Sequence, residues 1–181
     1  TINLEIIENI AIIRLNRPNS YNSLNAKMAK ELLEISYECD TNKKIRAIIL
    51  TGEGNKAFCA GGDLKSFHET GNVAKHLKMV THDLHGAITK FSRMNSPLIV
   101  AVNGVAAGAG VSFVGFADLA IAKSSATFVS AYTKAGLTPD GSSSYYLPRI
   151  IGIRKYLELV MTNKVLSSKE ALSWGLLNYI Y

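Results

Sequence analysis

Three apolar runs, each the length of one strand and each set apart by a stretch able to form a helix, constrain this chain most. They are Arg46-Ala-Ile-Ile-Leu50, Leu98-Ile-Val-Ala-Val102 and Asp118-Leu-Ala-Ile-Ala122. None alternates apolar with polar residues, so each is expected to be buried on both faces. Neighbouring parallel strands need a crossover long enough to hold a helix, and the segments between the runs supply it. The longest crossover spans about Val73 to Arg93, where Leu77, Val80, Leu84, Ile88 and Phe91 fall at i, i+3, i+7, i+11 and i+14, a continuous helical stripe. The pattern predicts an α/β fold with a parallel sheet layered by helices. Ahead of it, Leu4–Ile7 and Ile10–Leu15 flank Glu8-Asn9 and read as a hairpin. Asn16-Arg17-Pro18-Asn19-Ser20 breaks that pattern, and Asn22 or Ser23 is placed to cap a helix over Ala26–Glu38. Beyond Thr127 the chain reads as mostly helical: one segment after Pro139-Asp140-Gly141, another over Ile153–Met161 and a short one over Ser168–Trp174. Neither a linker nor an internal repeat divides it, so residues 1–181 are taken as a single domain.

Composition narrows the function classes. Hydrophobic residues make up 48% and charged residues 19%, which argues against disorder. Two cysteines, Cys39 and Cys59, are too few for a disulfide framework. His68, His76, His82 and His85 lack metal-ligand spacing with them, so no metal is expected. No apolar run approaches the roughly 20 residues of a membrane helix, and Thr1-Ile-Asn-Leu-Glu5 has no signal-like character. A soluble cytoplasmic protein with no membrane partner is the expectation. The net charge of +6 suits an anionic partner, whether nucleic acid, a membrane surface or a phosphate-rich small molecule. The basic residues are scattered and not interleaved with aromatics, so nucleic acid is not expected.

Two glycine-rich turns follow the strand runs: Gly61-Gly62-Asp63, and Gly104 with Gly108-Ala109-Gly110. Small residues there let a ligand approach the backbone, and a helix start offers unpaired N–H groups. Two such turns converging beyond the strand ends would bind an oxyanion, a phosphate or a thioester enolate. The alternative is that the glycines serve turns and close packing only. The spacings match neither the P-loop nor the dinucleotide fingerprint, and no nucleophile elbow or His-Glu-x-x-His is present.

Phe58-Cys-Ala-Gly-Gly-Asp-Leu64, Ala101-Val-Asn-Gly-Val-Ala-Ala-Gly-Ala-Gly110 and Gly136-Leu-Thr-Pro-Asp-Gly-Ser-Ser-Ser144, with Asn16-Arg17-Pro18 and Trp174-Gly175-Leu176, resemble the crotonase family, the enoyl-CoA hydratase/isomerase superfamily. The resemblance runs from about Leu4 to Tyr181. It implies a ClpP-like spiral of ββα units with helices packed on the sheet, homotrimers or hexamers, and acyl-CoA thioester substrates. Coenzyme A would be part of the substrate, with no separate cofactor. It further implies an oxyanion hole from the N–H groups of Gly62 and Ala109, and a coenzyme A path along Ala60, Gly61, Gly62, Asp63 and Leu64. The family usually continues past Gly175-Leu176 into helices that build the trimer, so this chain is expected to lack that C-terminal region.

The departures from the family pattern bear on the chemistry. Hydratases of the family carry glutamates at the places of Ser112 and Tyr132. With neither carboxylate present, the candidate base is Asp140, and Lys134-Ala-Gly-Leu-Thr-Pro-Asp140 resembles the branch of the phenylacetate-pathway ring isomerase. One carboxylate suits double-bond isomerisation, in which it removes a proton and returns it two carbons away while the two N–H groups hold the dienolate oxygen. Without the resemblance, Asp140 reads first as a helix N-cap or dipole partner. The branch resembling 4-chlorobenzoyl-CoA dehalogenase has a His at the place of His85 and a nucleophilic Asp at the place of Asp140. It has a Trp where this chain has Tyr132 and an aromatic residue where it has Gly62. The expectation is therefore isomerisation first. Hydration, Asp140/His85 hydrolysis of a dehalogenase or thioesterase kind, and non-catalytic acyl-CoA or RNA binding are the alternatives. Ser112 and Tyr132 are candidates for catalysis or for lining the acyl pocket, and Cys59 reads as a small buried filler.

Overall fold

The structure is a computed structural model and describes residues 1–68 and 70–181. The chain opens with β1 (Ile2–Ile7), β2 (Ile10–Leu15), α1 (Ala26–Thr41), β3 (Ala47–Gly52), β4 (Ala57–Cys59), α2 (Leu64–His68) and α3 (Val73–Phe91). It continues with β5 (Leu98–Val102), β6 (Val105–Ala107), α4 (Ala109–Phe116), β7 (Leu119–Ala122) and β8 (Thr127–Val129). Last come α5 (Ser143–Ile151), α6 (Ile153–Thr162), β9 (Leu166–Ser167), α7 (Ser168–Ser173) and β10 (Tyr179–Ile180).

The larger sheet has six strands in the order β1-β2-β3-β5-β7-β10. The β1–β2 hairpin is antiparallel and turns through Glu8 at φ 54°, while every later pair in this sheet is parallel. The three apolar runs are β3, β5 and β7, adjacent as the crossover pattern predicts. Ile13, Leu15, Ile48, Leu50, Val100 and Val102, alternate residues of β2, β3 and β5, are buried on one face of the sheet. On the other face Ile12, Ile49, Ile99 and Ala101 are only partly buried, so the strands are not buried on both faces as their apolar runs led one to expect. On one face α1 packs against α3, burying Met28, Leu32 and Cys39 against the Leu84, Ile88 and Phe91 stripe.

A second sheet has four strands in the order β4-β6-β8-β9. Its first three members follow β3, β5 and β7 directly, so the chain winds as a spiral of ββα units. Asn103 ties the two sheets at the step between β5 and β6. Its Nδ2 donates to the carbonyls of Gly52 (2.8 Å) and Gly54 (2.7 Å), and its Oδ1 accepts from Gly52 N–H (3.1 Å). Gly104 follows because a Cβ there would lie 2.5 Å from the Lys56 carbonyl oxygen.

Some elements differ from the sequence expectation. The region past Thr127 contains β8, β9 and β10, strands of two or three residues, too short to display any period. The cap of α1 is Asn25, whose side chain accepts from Met28 N–H (2.9 Å), and not Asn22 or Ser23. Asn22 instead donates to the carbonyls of Glu53 and Ala57 at 3.0 and 2.8 Å, fastening the loop between β3 and β4. Among the described residues no helix is long and apolar enough to cross a membrane.

Candidate active site

The two glycine turns meet backbone to backbone. A Cβ on Gly108 would lie 3.4 Å from Gly61 Cα, and one on Gly61 would lie 3.1 Å from the Ala107 carbonyl oxygen. Both glycines have positive φ, +94° at Gly61 and +52° at Gly108, where an L side chain would be strained. At the first turn Leu24 bridges from outside: its N–H donates to the Gly61 carbonyl (2.7 Å) and its carbonyl accepts from Asp63 N–H (2.9 Å). Gly62 lies between these two bonds and its N–H takes part in neither. At the second turn Gly108 N–H is spent on Val129 (3.1 Å), and Ala109 is the first residue of α4. Its N–H therefore has no acceptor within the helix. All eight residues of α4 are buried, which fixes the direction in which that helix start points.

Gly62 and Ala109 line one cavity of about 100 Å³. Leu24, Phe67, Leu77, Val80, Leu84 and Leu137 give it apolar walls, and Thr81, Tyr132 and Asp140 are its polar side chains. Asp140 is the one carboxylate among the described residues of the lining.

Asp140 does not cap α5 with its side chain. Its backbone carbonyl accepts from Ser143 N–H (3.0 Å), and the N-cap position is Ser142. The carboxylate oxygen Oδ1 accepts from the Tyr132 hydroxyl at 2.7 Å. That hydroxyl lies 2.9 Å from Ser112 Oγ, which in turn donates to the Asp140 carbonyl at 3.2 Å. Burial first, then the neighbouring Asp140 charge, push the Tyr132 phenol well above its ordinary range, so it stays protonated and able to donate. Behind the Asp140–Gly141 peptide, His85 Nε2 accepts from Gly141 N–H at 3.1 Å. Gly141 has φ +57°, and a Cβ on it would lie 2.8 Å from Ser112 Cβ.

The candidate residues thus divide. Ala60, Gly61, Gly62, Leu64, Ala109, Tyr132 and Asp140 face the cavity together. Ser112 stands behind Tyr132. His85 opens onto a separate surface groove with Tyr37, Asp40 and His82. The Asp63 carboxylate is engaged away from the cavity, accepting from Arg17 Nη2 (2.7 Å) and Ser66 N–H (3.3 Å). Burial alone would raise its pKa, but the Arg17 and Ser66 bonds outweigh that and hold it below the usual carboxylate range. Cys59 is buried beneath the turns and its thiol is pushed up to about 12 by burial, so it remains neutral. The sequence reading missed Phe67 and Thr81 as pocket residues. It assigned Leu77, Val80 and Leu84 to core packing, because the stripe that packs α3 also lines the cavity.

A family model described as "Enoyl-CoA hydratase/isomerase" matches residues 5–181. Among curated proteins, 4-chlorobenzoyl coenzyme A dehalogenase-2 from Arthrobacter sp is 35% identical, covering 99% of this chain and 66% of that protein. The 1,2-epoxyphenylacetyl-CoA isomerase of Escherichia coli (strain K12) is also 35% identical, over 93% of this chain and 64% of that one. A probable enoyl-CoA hydratase of Rhodobacter capsulatus is 38% identical, over 98% and 67%. The solved enoyl-CoA hydratase from Bacillus anthracis superposes with a TM-score of 0.94 at 30% identity, covering 99% of this chain and 69% of that one. The chain spans about two thirds of the length of the curated relatives it matches. The relatives' names mix dehalogenase, isomerase and hydratase, and so do not single out the isomerisation that the sequence reading put first.

Proposed function

The chain belongs to the enoyl-CoA hydratase/isomerase family, and from that premise we propose that it acts on an acyl-CoA thioester with Asp140 as a single proton shuttle, moving a double bond along the acyl chain. The observation that carries this reading is the lone carboxylate of Asp140 on an apolar cavity that also holds the Gly62 and Ala109 amides. Asp140 takes a proton from an acyl carbon, and the electron pair moves into the thioester carbonyl. The Gly62 and Ala109 N–H groups hold the resulting dienolate oxygen, and Asp140 returns the proton two carbons away. Addition of water by paired carboxylates has no second acid here, since Ser112 and Tyr132 occupy the places of the hydratase glutamates and are hydrogen-bonded to one another.

A second reading is displacement with Asp140 as nucleophile, in the manner that the dehalogenase relatives' name describes. Against it, the His85 Nε2 lone pair is already occupied by Gly141 N–H and would have to leave that bond to activate water. The test offers a 3-enoyl-CoA and follows the ultraviolet absorbance of the conjugated 2-enoyl thioester. Asp140→Asn should lose about 10²-fold or more of the native rate. Chloride release from 4-chlorobenzoyl-CoA with no absorbance gain from the enoyl thioester would replace the first reading by the second. Hydration of a 2-enoyl-CoA that survives Asp140→Asn would overturn both.

A further inference from the structure

We propose that Tyr132 is a positioning residue for Asp140, itself fixed by Ser112, and that this chain of hydroxyls decides which carboxylate oxygen exchanges protons with the substrate. The inference rests on the reading of Asp140 as the proton shuttle, and deepens it.

The geometry runs in one direction. Tyr132 donates to Asp140 Oδ1 at 2.7 Å, and Ser112 Oγ stands 2.9 Å from the same phenol oxygen, its one proton shared between that oxygen and the Asp140 carbonyl. Oδ2 has no hydrogen-bond partner among the described residues. A proton taken from the substrate therefore settles on Oδ2, because Oδ1 already accepts one. The same oxygen must give it back, which predicts that the label on an acyl carbon is carried to its new position more than it is lost to water.

The backbone that carries the phenol is held on both sides. Tyr132 N–H donates to the Ser130 carbonyl (2.8 Å), and its own carbonyl accepts from Ala135 (2.9 Å) and Leu137 (3.0 Å). Ser112 sits in the first turn of α4, the helix whose start presents Ala109, and its Oγ reaches the Asp140 carbonyl at 3.2 Å. One small side chain thus registers the proposed base against the proposed oxyanion site. Gly141 belongs to the same arrangement, since a Cβ there would displace Ser112.

The titratable groups that face this cluster are His85 from α3, bonded to Gly141 N–H, and Cys59 from β4, neutral beneath Tyr132. Because His85 accepts from Gly141 N–H, His85→Gln, which keeps an acceptor, is the control background. In that background Tyr132→Phe removes a charge-assisted hydrogen bond to the carboxylate anion and favours its protonation. The acid limb of the pH–kcat profile should move upward by about one pH unit. KM should change less than twofold, and retention of an acyl-carbon deuterium label should fall. Ser112→Ala should move the limb the same way by less.

A second measurement needs no turnover: the titration of the Asp140 carboxyl carbon by 13C NMR, assigned with Asp140→Asn. If that titration moves upward in Tyr132→Phe while the native protein isomerises no enoyl-CoA, Tyr132 positions the Asp140 carboxylate but the proton-shuttle reading falls. If Asp140→Asn abolishes isomerisation but Tyr132→Phe leaves both titration and pH profile unmoved, the inference is overturned and the function stands. If Tyr132→Phe does not fold by circular dichroism, Ser112→Ala reads the same titration, and an unmoved curve there overturns the inference.

Discussion

The turn at residues 104–110 is wedged against neighbouring backbone, whereas the turn at 60–64 is held by a backbone bridge and an ion pair reaching in from elsewhere. In the first case Gly104 abuts the Lys56 carbonyl, Gly110 abuts the Cys59 carbonyl, and the helix that follows is buried along its whole length. In the second, Leu24 bridges from one side, and the Arg17–Asp63 ion pair closes the other at 2.7 Å. The helix that follows is short, and Leu64 is exposed. Two amides proposed for one task thus come from scaffolds of different stiffness. The tight turn supplies a fixed reference, and the adjustable one sets how closely the other donor approaches. Interiors packed to crystal density resist added volume, while a clamp of individual hydrogen bonds fails one bond at a time.

The largest expected effect comes from the tight turn. Gly110→Ala drives a methyl into the Cys59 backbone, and Gly104→Ala drives one into Lys56 and Ala57. Backbone cannot rotate aside as a side chain can, so each should cost about 3 kcal/mol or more in denaturant unfolding. A loss under about 1 kcal/mol at either site would show that this turn yields as readily as its partner, and the contrast would collapse.

The clamp on the other turn should cost less and depend on pH. Asp63→Asn or Arg17→Ala removes a half-buried charged pair and should cost about 2 kcal/mol at neutral pH. Because the folded-state pKa of Asp63 is lowered, its contribution is complete above the ordinary carboxylate value near 4. It is lost as pH falls through the lower folded value. The gap in unfolding free energy between the native protein and Asp63→Asn should therefore narrow below about pH 4. A gap that stays constant into acid would assign Asp63 a packing role and remove the electrostatic half of the comparison.

The same division explains what the sequence made legible. Strands β3, β5 and β7 stood out because runs of four or five apolar residues set apart by crossovers leave no other reading, although those residues alternate between buried and less buried. Strands β4, β6 and β8 have three residues each, too short to display a period, and β4 and β6 run into the glycine motifs; only the family resemblance implied a ββα unit. Asn22 and Asn25 are chemically alike, and the choice of cap was settled by partners 31 and 35 residues further along that claim the Asn22 amide. At the site, the positions of Gly62, Ala109 and Asp140 could be named from motifs. The bond from Tyr132 to Asp140 could not, since it depends on how the segment between β8 and α5 folds back on itself. Phe67 carried no signal, because one aromatic residue in a short helix looks like core.

Phe67 is where the smallest effect should sharpen the comparison most. Gly62 does not have the left-handed backbone of Gly61 and Gly108, so alanine is conformationally acceptable there. Its Cβ would lie 2.8 Å from Phe67 Cζ and 3.0 Å from Cε2, the far end of a side chain. The ring rests edge-on against His76 at 5.7 Å between centroids and lines the cavity. Gly62→Ala should therefore cost only about 1 kcal/mol of stability, as the ring swings away. The same swing alters a cavity wall, so KM for the acyl-CoA substrate should rise. Phe67→Leu in the same chain should recover much of both losses, a coupling of about 1 kcal/mol between the two sites. If the double variant is instead additive, the ring is not what makes glycine necessary at residue 62. The adjustable turn would then be as constrained by its own backbone as the tight one, and the stiffness difference between the two donors would have to be sought in the Leu24 bridge alone.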